Sequence, residues 1–294
     1  MIRKDNTKMD QLKRRVGCLV GFLLISSCAT SSCEKNPTNP KIYPPIVWDV
    51  SPSWALTNEW IAYEHSAISL NDTSGIYIIR PDGTGRRLVF SGGRSPDWSP
   101  NGVQIVSNFS LDYQLYLTDC STGVNSAITD DAMFKAFPSW HPGGEEILFS
   151  VPVGSQELAG IWRFNPSTEY MVRIILNEGI EPQWDPSGMN IVTIRKSSSW
   201  LSIWNLADST FVDLISSNNL NGTILKSPSI SPDGGRIAFH TAQSNKKEPI
   251  IWIYSLNTKK VESLVRGGWF PSWNPDGTEI TFTRGRFFEP AQEG

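Results

Sequence analysis

A phrase built from Pro, Trp, a Pro/Gly turn and a short apolar strand returns along the chain at a nearly fixed interval, and this interval constrains the fold more than any other feature. It reads SPDWSPNGVQIVS, FPSWHPGGEEILF, EPQWDPSGMNIVT and FPSWNPDGTEITF in four clear copies. A fifth copy, SPSISPDGGRIAF, has Ile230 in the Trp position, and a sixth, SPSWALTNEWIAY, keeps Pro52 and Trp54 without the Pro-Gly turn. The anchors Trp54, Trp98, Trp140, Trp184, Ile230 and Trp273 are spaced 44, 42, 44, 46 and 43 residues apart. Such regularity marks a repeat architecture and takes precedence over an element-by-element reading.

Within each repeat the Pro/Gly turn fixes φ and supplies a left-handed position, so the chain reverses between two extended runs. About twenty residues after each anchor comes an aliphatic-aromatic pair: Ile76-Tyr77, Leu115-Tyr116, Ile161-Trp162, Ile203-Trp204 and Ile253-Tyr254. A polar turn and another short apolar run follow, giving four strands per repeat. No sustained 3.6-residue apolar period occurs between residues 46 and 288, which predicts an all-β domain over that span. Two packed sheets would explain short strands but not a fixed period. The expected fold is a six-bladed β-propeller of four-stranded antiparallel blades. After TEITF the sixth copy is short, and an open ring would expose sheet edges. Ile46 to Trp48 is therefore expected to supply a strand of the last blade and latch the ring.

The phrase Pro-x-Trp-Ser-Pro-Asp-Gly, then Ile-x-Phe, then Ile-Tyr and a polar turn resembles the TolB-type, WD-repeat-like propeller repeats over about 240 residues. The resemblance implies the propeller fold. The same type of blade occurs in peptidase propellers and lyases, so function has to be sought in the positions that differ between copies.

The first residues carry a different signal. A basic stretch ends at Arg15 and an apolar run follows from Val16 to Ser27, shorter than the roughly 20 residues that span a bilayer but suited to a secretory signal. The run ends in ISSC, which resembles the lipobox of bacterial lipoproteins, with Cys28 as the lipid acceptor and Cys33 as a weaker second. Met9 is an alternative start. The expected division is a lipoprotein signal peptide over 1–27, a polar, Pro-rich tether over 28–45, the propeller over 46–288 and a tail over 289–294. The precursor has a net charge of −3; removal of 1–27 leaves 20 basic and 27 acidic side chains, a net of −7. Neither value suits a nucleic-acid binder. The expected setting is the bacterial cell envelope, at the outer membrane facing the periplasm or the cell surface, with a monomer held by its lipid anchor. Cys120, in a polar turn, is expected as a free thiol.

Few residues offer chemistry. The three histidines, His65, His141 and His240, do not suggest a shared metal, since His141 belongs on the opposite rim from the other two. No Gly-x-Ser-x-Gly elbow is present. Asp82, Asp233 and Asp276 precede glycines and read as turn formers. Eight of the twelve tryptophans read as blade packing, leaving Trp48, Trp60, Trp200 and Trp269. No cofactor, metal or catalytic set is expected.

The first strand of each propeller blade lines the central channel, and recognition sits on loops at its mouth. The residues just before each anchor Pro, including Arg94, Phe137, Glu181, Lys226, Trp269 and Phe270, vary while the rest of the repeat does not. Their mixture of aromatic groups and both charge signs suits a protein or peptide partner. The loops EHSAISLNDTSG, VPVGSQELAG and HTAQSNKKEP are expected to rim this surface. A glycan partner held by Trp200 and Trp269 is the alternative. A third reading is a metal-independent lyase or hydrolase using Arg94, Glu181 and Lys226.

Overall fold

The computed structural model describes residues 47–284, apart from 68–71, 153–155, 196–198, 221–222 and 243–247. The expected leader, tether, Cys28 and tail lie outside these residues, as do parts of all three rim loops. Five four-stranded antiparallel sheets follow one another along the chain, each in sequential strand order, and a sixth sheet has two strands among the described residues. The first strands are Val47–Trp54, Gly93–Trp98, Ala136–Trp140, Ile180–Trp184, Ile224–Ile230 and Gly268–Trp273. Each carries one repeat phrase, and all six line a common tunnel of about 440 Å³.

Val47 and Trp48 do not join the last sheet. They begin the first strand of the first blade, where Val47 pairs with Ala67 and Trp48 with Ser66. These two residues of the predicted latch are the ordinary upstream extension of the first anchor strand, and Ile46 lies outside the described residues. Contact between the sixth and first blades is made instead by side chains: Thr283 Oγ1 donates to the carbonyl of Asp49 at 2.6 Å, and Trp54 Nε1 donates to Thr281 Oγ1 at 2.7 Å.

The core lies between blades, because a single sheet has no way to bury both of its faces. Each anchor packs on a second-strand residue of the preceding blade. Trp98 shares a cluster with Ala62, Trp140 with Val106, Trp184 with Leu148, Ile230 with Val192 and Trp273 with Ala238. The third-strand aliphatic residues Ile76, Leu115, Ile161 and Ile253 join the same interfaces and are almost completely buried. The tight turns are built as their sequence implies. In Asn-Pro-Asp-Gly, Gly277 has φ 70° and its N–H donates to the carbonyl of Asn274 at 3.0 Å. Asp82 and Asp276 accept the N–H and hydroxyl of Thr84 and Thr278, bonds that hold both carboxyls below their usual range. Cys120 is a free thiol, but it is buried rather than presented at a turn surface, and burial pushes it up to about 11.

Candidate functional site

Every first strand breaks register at the same place. The residue ahead of the anchor Pro, in turn Ser51, Ser95, Phe137, Glu181, Ser227 and Phe270, has φ between 49° and 53°. Pairing with the second strand is interrupted there in all six sheets. A residue before Pro normally favours extended backbone, and left-handed backbone costs a residue with a Cβ roughly 1 kcal/mol or more. Contacts across blade boundaries hold three of these bulges.

These contacts use the bulge's own N–H. Ser95 N–H donates to the Glu64 carboxylate at 3.2 Å, Ser227 N–H to the Glu181 carboxylate, and Phe270 N–H to His240 Nδ1 at 3.2 Å. In each pair the acceptor belongs to the preceding blade. Three residues further on, the anchor N–H repeats the pattern: Trp98 donates to Ser53 Oγ at 3.3 Å, Trp140 to Asp97 Oδ2 at 2.8 Å and Trp273 to Ser229 Oγ at 3.2 Å. Asp97 also accepts the Ser53 hydroxyl at 3.0 Å. Burial nevertheless pushes its carboxyl up to about 6, and raises Glu64 in the same way.

The predicted mouth residues divide by what they touch. Arg94 is 54% exposed, its Nε 4.0 Å from Glu64. Lys226 is 39% exposed, its Nζ 3.6 Å from the Glu181 carboxylate. Glu181 itself is buried, its carboxylate occupied by the Ser227 N–H and Lys226. Phe137 and Phe270 line the tunnel from their bulges, while Trp269 lies beside His240 with ring centroids 5.2 Å apart. Trp200 is elsewhere: it begins a third strand, paired with Arg195 and Ser216, and does not line the tunnel.

His65 and His240 lie inside their second strands, Ile61–Ala67 and Arg236–Ala242. His65 Nδ1 is 2.6 Å from Asp49 and Nε2 2.9 Å from Asp72, so both ring nitrogens face carboxylates. Arg86 reaches the same cluster, donating to Tyr63 OH at 2.7 Å, and burial pushes the Tyr63 phenol up to about 12. His240 is completely buried, and burial followed by the Lys226 charge lowers it to about 3. Its Nδ1 accepts from Phe270, which leaves the proton on Nε2. Both nitrogens of His65 are engaged, and His240 Nε2, without a hydrogen-bond partner among the described residues, is sealed in the interior.

Sequence reasoning gave no such role to the acceptors Glu64 and His240. Twelve residues after each anchor Pro stand Glu64, Asn108, Ser150, Ile194, His240 and Thr283, five of them polar within an apolar strand. Aligning the copies on that column would have revealed the positions opposite the bulge.

A family model described as the TolB β-propeller domain matches residues 45–265. The Tol-Pal system protein TolB of Francisella tularensis subsp. holarctica strain OSU18 is 26% identical over 62% of this chain and 54% of its own length. The same protein from subsp. mediasiatica strain FSC147 gives the same values. The chain thus spans about half the length of the curated relatives it matches. Among solved structures, TolB from Acinetobacter baumannii has a TM-score of 0.62 at 21% identity, covering 83% of this chain and 58% of that one. Putative TolB from Agrobacterium tumefaciens has 0.66 at 17%, covering 82% and 91%. An oligogalacturonate lyase in complex with manganese has 0.56 at 10%, covering 79% and 70%. At these identities the structural likeness speaks for the fold alone.

Proposed function

The chain belongs to the TolB β-propeller domain family, and from that premise we propose that it is a non-catalytic protein- or peptide-binding module of the bacterial cell envelope. The observation that carries this reading is the division of labour at the tunnel mouth. Backbone N–H groups and buried acceptors hold the Ser95, Ser227 and Phe270 bulges, while Arg94 and Lys226 extend from beside the bulges into solvent and Phe137 and Phe270 line the tunnel. A rigid rim carrying cationic and aromatic groups of irregular sequence suits recognition of one polypeptide. Acylation of Cys28 would tether the module to a membrane. No reaction is assigned, because the buried imidazoles and carboxylates near the mouth serve contacts between strands and blades.

The test is crosslinking capture from envelope membranes, with wild type compared with Arg94→Glu/Phe270→Ala. A specific protein captured by the wild type and lost in the variant is the expected result. Capture of no protein by either chain would reject the reading.

A further inference from the structure

On the face where the first strands begin, the second blade carries a feature that ring closure does not require. The connection leaving this blade, residues 128–135, has eight residues where the first and fifth blades use a single glycine, Gly92 or Gly267. The extra chain places Phe134 against Tyr113 of the blade's other loop, with ring centroids 4.0 Å apart and planes at 30°. Both rings remain exposed, at 36% and 37%, and Leu111 in the same loop is 81% exposed.

These loops are braced from below. Lys135 is completely buried, its ammonium donating to Gln114 Oε1 at 2.9 Å, Asp131 Oδ1 at 2.5 Å and the Met133 carbonyl at 3.3 Å. Gln114 Nε2 donates to the Asp131 carbonyl at 2.5 Å, and the Thr129 hydroxyl donates to Gln114 Oε1 at 2.8 Å. Lys135 N–H donates to the Tyr113 carbonyl at 3.2 Å, joining the two loops directly. Three exposed carboxylates, Asp112, Asp130 and Asp131, lie within electrostatic reach of this hub. Lys135 is the only basic residue in either loop and is sealed beneath the surface.

We propose that the Tyr113–Phe134 platform docks a cationic, extended segment of a partner polypeptide, one bearing arginine or lysine between apolar residues. The two rings offer π-faces to a guanidinium or ammonium group, Leu111 offers apolar contact, and the carboxylates supply the complementary charge. The buried lysine network fixes the platform before binding, which lowers the ordering cost of association. The proposal rests on the reading of this face as a partner-binding surface and specifies the partner's chemistry.

The test is a fluorescence-anisotropy titration of the full chain with a labelled alternating Arg-Leu decapeptide and its Glu-Leu counterpart, at low and high salt. The Arg-Leu peptide is expected to bind, to weaken with salt, and to lose affinity about tenfold or more in Phe134→Ser and in Tyr113→Asn. Asparagine is chosen because Tyr113 has φ 59°, which asparagine tolerates; melting curves confirm that each variant folds. Asp112→Asn/Asp130→Asn should abolish the preference between peptides. Equal binding of both peptides to the wild type, or wild-type affinity in the ring variants, would overturn the proposal. So would salt-insensitive binding of a neutral chitooligosaccharide that disappears in Tyr113→Asn, which would assign the platform to a glycan. Envelope capture that is lost in Arg94→Glu/Phe270→Ala but retained in both ring variants would preserve the partner reading and reject the platform.

Discussion

Five indole N–H groups occupy equivalent anchor positions, yet among the described residues only that of Trp54 meets a protein acceptor, Thr281 Oγ1. Those of Trp98, Trp140, Trp184 and Trp273 are buried without one, because the residues in the place of Thr281 are Ala62, Val106, Leu148 and Ala238. Thr281→Val is expected to destabilise the fold by about 1–3 kcal/mol by orphaning the Trp54 donor. The isosteric Val106→Thr supplies an acceptor to Trp140 and is expected to be neutral or stabilising; urea unfolding measures both. Two other residues set a pH dependence of opposite sign. His240 is lowered from 6.5 to about 3, so its contribution to stability is full above about pH 6.5 and is lost as pH falls toward 3. Asp97 is raised from 3.8 to about 6, so its contribution is full below about pH 4 and is lost as pH rises through 6. Between pH 6.5 and 4 these effects oppose one another, each on the order of a few kcal/mol. Acid unfolding is therefore expected to steepen in Asp97→Asn and to flatten or reverse in His240→Asn. The anchors themselves were legible as recurring Trp. Their partners were not, since Trp54 and Thr281 are 227 residues apart and chain spacing does not reveal which blade faces which.

At the level of the strand, alternation and turn chemistry made the repeated hairpins readable, and the Pro-Gly words mark the observed turns. The bulge escaped notice because local preference points away from it: a residue before Pro is expected to be extended, and a contact with a side chain of the preceding blade, invisible to local spacing, opposes that preference. Ser95 shows what this implies. Ser95→Gly retains the N–H donated to Glu64 and removes the Cβ strain, so stability should remain within about 1 kcal/mol of wild type. Ser95→Val places a β-branched side chain at φ 49° and is expected to cost about 1–3 kcal/mol. Thermal melts of the pair separate the conformational explanation from loss of the serine hydroxyl, which would harm both variants equally. The mouth was legible as a set of variable positions. Which members face solvent was not: Glu181 and Lys226 look alike in a sequence, but one is a buried acceptor and the other its exposed partner.

Across the whole ring, the fixed period identified the propeller, while the way its ends meet depended on contacts that no local word encodes. The boundary between the fifth and sixth blades has a small core among the described residues, made of Ala238, Ile253, Trp273 and Ile280 with Leu264 against it. The boundary between the fourth and fifth also buries Leu201, Ile215, Leu225, Ile237 and Phe239. Regions with fewer buried apolar contacts open more readily. Amide exchange is accordingly expected to be faster in Gly268–Trp273 and Ile280–Arg284 than in Asn190–Arg195 and Arg236–Ala242; equal protection would mean that the ring opens as one unit. The staples at the bulges have a wider consequence. Their donors are main-chain N–H groups, which nineteen of the twenty amino acids supply, so the letter written at a bulge is largely independent of the bond that holds it. Such a ring works like movable type in a locked frame: evolution can reset the characters around the opening one at a time, and the same frame prints a different message.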